Sequence, residues 1–162
     1  MPTGSMPDTH RRRFMLQLEG KGLYMVAWQE SLPVGYVLLH FQHPAHHAHW
    51  QYYPECAYAE GLATHPDKQR QGIAISLMQS TEAYARRHQA ESIGLSVGTD
   101  NLPAQALYRK IGYQPTDIPS YLVMWNYLDK TTGEVKEEGE LCNFWLKRLD
   151  EVLSSVPKRN TG

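Results

Sequence analysis

Gln69-Arg70-Gln71-Gly72-Ile73-Ala74 is the stretch on which the fold turns. It follows a run read as a strand, residues 55–64, that stops at His65-Pro66-Asp67. It opens a helix over about residues 72–88, in which Ile73, Leu77, Met78, Thr81, Tyr84 and Ala85 recur at helical spacing. Strand, turn and helix in that order can hold an anion. The first amides of a helix lack intrahelical partners, and the helix dipole favours negative charge there. Gly72 and Ala74 keep bulk away from those amides, while Gln69, Arg70 and Gln71 keep the loop polar. On these six residues alone, a plain turn in which Gly72 merely opens the helix is the simpler reading. No lysine-serine pair follows the glycine, so the stretch is not a nucleoside triphosphate loop. No second glycine is spaced for a dinucleotide fingerprint.

Upstream, Asp8 or Thr9 can cap a short helix with Phe14, Met15 and Leu18 as its apolar face, ended by Gly20-Lys21-Gly22. Residues 23–29 and 33–42 read as paired strands joined by Glu30-Ser31-Leu32. The second alternates imperfectly through Val34, Tyr36, Leu38 and His40, as a strand covered on both faces would. Residues 43–54 form a long loop with His43, His46, His47 and His49 and bulky aromatics. Downstream, Ile93, Leu95 and Val97 alternate cleanly in a strand over 92–97. Asp100 or Asn101 can cap a helix with Pro103 in its first turn, where a missing amide proton costs little. That helix runs to about Ile111 and stops at Gly112. Residues 121–128 and 141–149 read as two further strands around the turn Thr132-Gly133. This order of elements defines an α/β (α+β) chain: a mixed sheet with helices packed on it.

The 162 residues fit one domain, taken as 1–153 with a polar tail at 154–162. Hydrophobic residues make up 41% and charged residues 20%, ordinary shares for a globular chain. A net charge of −1 gives no electrostatic reason to expect nucleic acid or an anionic membrane as partner. Arg11, Arg12 and Arg13 read as three charges on a solvated helix face. Cys56 and Cys142 are far apart and without metal-ligand spacing, which argues against a disulfide framework and for a reducing compartment. Neither a signal-peptide apolar run nor a membrane-length one is present, so a cytoplasmic location is expected.

A second segment gives the phosphate loop a context: Asn101-Leu-Pro-Ala104-Gln-Ala-Leu107-Tyr108-Arg-Lys-Ile-Gly112-Tyr113. Together the two segments resemble the GNAT superfamily of N-acetyltransferases. The first matches its Gln/Arg-x-x-Gly-x-Gly/Ala signature for acetyl-coenzyme A. The second matches its Asn-x-x-Ala-x-x-Leu-Tyr-x-x-x-Gly-Phe/Tyr segment, and the strand between lies where that family places its fifth. The resemblance covers about residues 23–113 well and the last strands loosely. It implies a mixed, mostly antiparallel sheet with flanking helices.

The resemblance also implies roles. The cofactor's pantetheine arm would pair with the strand carrying Leu62, Ala63 and Thr64, which splays from its neighbour. The pyrophosphate would lie on the loop from Gln69 through Arg70, Gln71, Gly72, Ile73 and Ala74 to Ile75, with Asn101 at the pantetheine or acetyl end. Tyr108 stands where similar enzymes protonate the leaving thiolate; its other reading is an aromatic on the core face of a helix. Glu60 stands where similar enzymes place a base for the amine. Two residues before Leu62, it is expected on the same face, and its other reading is a cross-strand ion pair or a solvated edge. The family usually begins with a strand and two helices before the strand at Leu23, and only about one helix fits there. Either the chain lacks the first strand and helix or the gene start is shortened; their absence leaves a sheet edge that a second subunit would cover as a homodimer.

The histidine loop is more readily polar than metal-binding, and no metal is expected. It lies where the family forms part of its acceptor pocket, so Tyr52 and Tyr53 are candidates for substrate contact. Cys56 is better read as a small buried residue than as a nucleophile. Two functions follow: a working N-acetyltransferase on a small-molecule or protein amine, or a module of the same fold that binds acyl-coenzyme A without transfer.

Overall fold

The computed structural model describes residues 8–42 and 51–149. Its elements are α1 (Thr9–Leu18), β1 (Gly22–Gln29), β2 (Leu32–His40), β3 (Cys56–Thr64), a single 3-10 turn at Pro66–Lys68, α2 (Ile73–Arg87), β4 (Ser92–Gly98), α3 (Leu102–Lys110), β5 (Gln114–Pro115), β6 (Tyr121–Leu128) and β7 (Val135–Arg148). Seven strands form one sheet in the order β1-β2-β3-β4-β7-β5, with β6 also paired to β7. Among the described residues only β3 and β4 run parallel; the other pairs are antiparallel.

Alternation along the strands sorts the core. Val37 and Leu39 of β2, Ala57 and Ala59 of β3, Ile93, Leu95 and Val97 of β4 and Trp145 of β7 face the helical side. There they meet Leu77, Met78 and Ala85 of α2, with Tyr108 and Ile111 packed alongside. Cys56, Tyr58 and Phe144 form a smaller cluster on the opposite face. Gly94 is obligatory between the two, because a Cβ there would overlap the Phe144 ring.

Several elements depart from the sequence reading. The last strand begins at Val135, not at residue 141, because its first half forms with β6 a ribbon wet on both sides. Residues such as Lys136, Glu137 and Glu138 therefore carry no apolar alternation to read. The two-residue β5 was not legible at all; it adds to the edge of β7 through Gln114 and Pro115. In α2 the inner face takes Glu82, while Tyr84 is exposed. On α1 the expected apolar face is outside: Phe14, Met15 and Leu18 are exposed. The helix instead docks through polar groups, with Gln17 accepting from the Tyr24 amide at 3.0 Å and His10 bonded to the Tyr24 hydroxyl. Arg13 is not a solvated charge either, since its guanidinium stacks on the Tyr24 and Tyr36 rings at 5.8 and 5.2 Å. The four histidines of residues 43–49 and the tail at 154–162 lie outside the described residues.

Candidate active site

The site begins with a break in pairing. β3 and β4 are in register only at Cys56↔Ser92, Ala57↔Ile93 and Tyr58↔Gly94. Beyond Tyr58 the facing edges of both strands have no strand partner among the described residues, so the sheet opens in a V. A bulge in β3 helps turn it away. Leu38↔Glu60 and Tyr36↔Ala63 pair across β2 and β3, so β3 carries one extra residue in that interval. Gly61 sits there at φ +66°, the left-handed geometry such a bulge requires.

The bulge corrects one expectation. Inserting a residue resets the alternation, so Glu60 and Leu62 do not share a face. Leu62 packs with the helical-side core. Glu60 points to the other side, where its Oε1 lies 2.9 Å from His40 Nε2.

On the helical side the V widens into a cleft of about 740 Å³. It gathers most of the residues expected to hold the cofactor: Leu62, Ala63 and Thr64 from β3, Gln69 and Arg70 from the loop, and Gly72 to Ile75 at the start of α2. Tyr108 closes its far wall from α3. Two expected residues are elsewhere. Gln71 lines a separate depression beside Met25 and Trp28. Asn101 does not line the cleft; its Oδ1 caps α3 by accepting from the Ala104 amide at 3.2 Å.

The loop has the geometry an anion needs. Gly72 caps α2 at φ +81°, and a Cβ there would meet nothing within 4 Å, so the backbone stands open. The first helical bond runs from the Ser76 amide to the Gly72 carbonyl. The amides of Ile73, Ala74 and Ile75 accordingly find no acceptor among the described residues. Three orphan donors at a positive helix end, beside Arg70 and Lys110, suit a pyrophosphate. The unpaired edge of β3 suits an amide-bearing arm that adds to it as a strand would.

Tyr108 is partly buried, with its ring edge-on to Tyr113 at 5.8 Å. Burial pushes its phenol up to about 12. Its hydroxyl has no hydrogen-bond partner among the described residues, and the residue lines the cleft. On the opposite face of the V a chain of hydroxyls crosses three strands: Tyr58 to Ser96 Oγ at 2.8 Å, and Ser96 Oγ to Tyr121 at 2.6 Å. Tyr53 packs on Phe144 and Tyr52 is exposed. Among the described residues no three His, Cys, Asp or Glu cluster as metal ligands.

Sequence reading missed Pro103, Ala104, Leu107 and Lys110 as cleft residues, although their helical spacing around Tyr108 was the available signal. It also missed His40, whose meeting with Glu60 depends on a register set across the long loop.

This architecture is that of an acyl-coenzyme A-binding transferase, and the comparisons give the family. The Acetyltransferase (GNAT) family profile matches residues 2–113. The chain belongs to the GNAT acetyltransferase family. No curated protein matches it in sequence. Among solved structures it is similar to PaiA N-acetyltransferase from Thermoplasma acidophilum in complex with coenzyme A, at 15% identity and a TM-score of 0.61, covering 87% of this chain and 70% of that one. It is also similar to the ribosomal-protein-alanine N-acetyltransferase from Brucella melitensis, at 16% identity and a TM-score of 0.62, covering 90% and 79%. A Bacillus anthracis acetyltransferase in complex with acetyl coenzyme A matches at 16% identity and a TM-score of 0.57, covering 80% and 64%. At such identities the likeness speaks for the fold alone.

Proposed function

We propose that the chain is an N-acetyltransferase that moves an acetyl group from acetyl-coenzyme A to a primary amine, the two bound together. One observation carries this reading: the V between β3 and β4 joins an anion-binding helix end on one face to a carboxylate on the other. Two structural neighbours bind coenzyme A or acetyl coenzyme A, which supports the same co-substrate here.

The amides of Ile73, Ala74 and Ile75, with Arg70 and Lys110, hold the pyrophosphate, and Leu62, Ala63 and Thr64 offer the free strand edge to the pantetheine arm. Acetyl-coenzyme A supplies the acetyl group as a thioester. Glu60 takes the proton of the incoming ammonium group, directly or through water, so that the amine attacks neutral. The backbone near Leu62 donates to the carbonyl oxygen as negative charge grows on it. As the carbon–sulfur bond breaks, Tyr108 gives its proton to the departing sulfur, and the second proton of the attacking nitrogen passes to the tyrosinate or to water. Glu60 and Tyr108 thus serve the reaction from opposite faces of the sheet.

The two cysteines are free and buried, which fits a cytoplasmic protein; no helix among the described residues is long and apolar enough to cross a membrane. β1 pairs only with β2 among the described residues, and this free edge supports a homodimer; a monomer by light scattering at micromolar concentration rejects it. The transfer reading itself is tested by release of free thiol from acetyl-coenzyme A against a panel of amines. Tight binding of coenzyme A with no release above background would make the chain a binding module.

A further inference from the structure

Beyond Tyr58↔Gly94 no backbone pair among the described residues sets how far apart the two walls of the V stand. Glu60 lies two residues past that point on β3, and Ser96 lies two residues past it on β4. Alternation puts Glu60 on the face of Tyr58, because the bulge comes only after it, and puts Ser96 on the face of Gly94. Tyr58 clusters with Cys56 and Phe144, and a Cβ on Gly94 would point at the same two residues. Glu60 and Ser96 therefore share that face, away from the cofactor cleft.

Side chains cross the gap where the backbone does not. The Tyr58 hydroxyl joins Ser96 Oγ at 2.8 Å, and Ser96 Oγ joins the Tyr121 hydroxyl at 2.6 Å. One short hydroxyl on β4 thus ties β3 to β6. From Tyr58 the contacts continue to the base. Tyr58 is the direct cross-strand partner of His40, with ring centroids 6.1 Å apart, and His40 Nε2 lies 2.9 Å from Glu60 Oε1. Tyr58 is buried, so its ring has no freedom to follow another partner. Burial raises both phenols, Tyr121 to about 12, so each keeps its proton at neutral pH. The chain of hydroxyls fixes position and carries no charge.

We propose that Ser96 is a positioning residue for the transfer: through Tyr58 and His40, its hydroxyl sets where the Glu60 carboxylate stands relative to the β4 wall. The inference rests on the transfer reading, which gives Glu60 its role. A reacting group displaced by about 1 Å can lose about 10²-fold in rate, so a bond this far from the chemistry still governs it. Ser96 touches the base only through Tyr58 and His40, and its whole effect on turnover must pass through that carboxylate.

The test follows thiol release from acetyl-coenzyme A by the full chain, with ethanolamine, putrescine, free α-amino acids and a peptide with a free N-terminus as acceptors. Urea unfolding of each variant is measured alongside. Ser96→Ala should lower kcat about 10- to 100-fold and leave KM for acetyl-coenzyme A unchanged. Ser96→Thr, which keeps the hydroxyl, should recover most of the rate. Tyr58→Phe breaks the same bond from the other side and should match Ser96→Ala, which keeps the test open should the alanine variant not fold. In a Glu60→Gln background, Ser96→Ala should cost nothing further in kcat, because both act through one carboxylate. Ser96→Ala and Tyr58→Phe proteins that lose stability but keep full kcat per folded molecule overturn the proposal and leave the transfer reading standing. So does a loss that persists undiminished in the Glu60→Gln protein. Wild-type protein that binds acetyl-coenzyme A and releases thiol to none of these amines sinks the transfer reading, and this inference with it.

Discussion

His40 Nε2 and Glu60 Oε1 lie 2.9 Å apart across the pair β2–β3, at the mouth of the V between β3 and β4. The His40 side chain is only 12% exposed and that of Glu60 is 37% exposed, so the histidine holds a carboxylate that water can still reach. Glu60→Gln is expected to lower kcat about 10²–10⁴-fold, the usual contribution of a positioned base, with acetyl-coenzyme A affinity retained. His40→Ala should cost less, and the double variant little more than Glu60→Gln alone, because both act through one carboxylate. Steady-state thiol release decides; fully additive losses would show that His40 acts elsewhere.

Tyr108 makes a prediction in pH. A general acid works while protonated, and burial raises this phenol to about 12. The proton therefore remains in place through the neutral and mildly alkaline range and is lost only as pH rises through the raised value. Tyr108→Phe should reduce kcat about 10²–10⁴-fold at every pH in that range. The wild-type profile should show no alkaline fall near pH 8–9 that the substitution removes. Finding such a limb would take the acid role away from Tyr108.

Gly61 ties the bulge to Arg13. At φ +66° a side chain is strained by about 1–2 kcal/mol, and the Cβ would also press on the guanidinium. Gly61→Ala should therefore lose stability by at least that amount in urea unfolding and depress kcat more than acetyl-coenzyme A affinity. Gly133→Ala provides the control: φ is +73° in an open turn with nothing within 4 Å, so strain appears without the catalytic loss.

Much of this was legible before the structure. The loop from Gln69 to Ala74 and the helix carrying Ala104, Leu107 and Tyr108 are local patterns with the right order, and the cleft brings them together. What could not be read depends on contacts between distant segments. The bulge at Gly61 reverses the face of Leu62 relative to Glu60, yet nothing local separates that glycine from any other in a strand. Arg13 sits in a basic run that resembles a solvated face, and only the meeting of α1 with Tyr24 and Tyr36 withdraws it. The first half of β7 lacks a buried face and so lacks the periodicity from which strands are recognised.

Glu82 shows a charge that serves stability. It is 4% exposed on α2, accepts from Lys147 Nζ at 2.9 Å and receives the Tyr113 hydroxyl at 3.2 Å. Lys147→Met leaves the carboxylate short of its main partner, and a loss of about 1–3 kcal/mol is expected. This falls below the ~3–5 kcal/mol of a fully buried broken pair, because the Lys147 side chain is 24% exposed and Arg86 remains at 4.0 Å. Chemical denaturation measures the loss, while turnover per folded molecule should not change. A drop in kcat at full folding would place this network in the reaction instead.

Cys56 decides between direct transfer and an acyl-enzyme route. Its thiol is 1% exposed, donates to the Ala57 carbonyl at 3.0 Å and is pushed by burial up to about 11. A nucleophilic cysteine needs a thiolate near neutral pH and a path to it, and Cys56 has neither. It also lies on the face with Phe144, where a Cβ added to Gly94 would come within 3.1 Å of its sulfur. In the native protein at pH 8, iodoacetamide should leave Cys56 and Cys142 unmodified, and both should react after denaturation. Cys56→Ala should lower stability through the small cavity it leaves, but keep kcat within about twofold, because a residue absent from the reaction contributes none of the ~10²–10⁴-fold expected of one that takes part. Initial-rate lines for acetyl-coenzyme A and amine should intersect rather than run parallel. Parallel lines together with an acetylated Cys56 in the mass spectrum would replace attack by the amine with transfer through the enzyme.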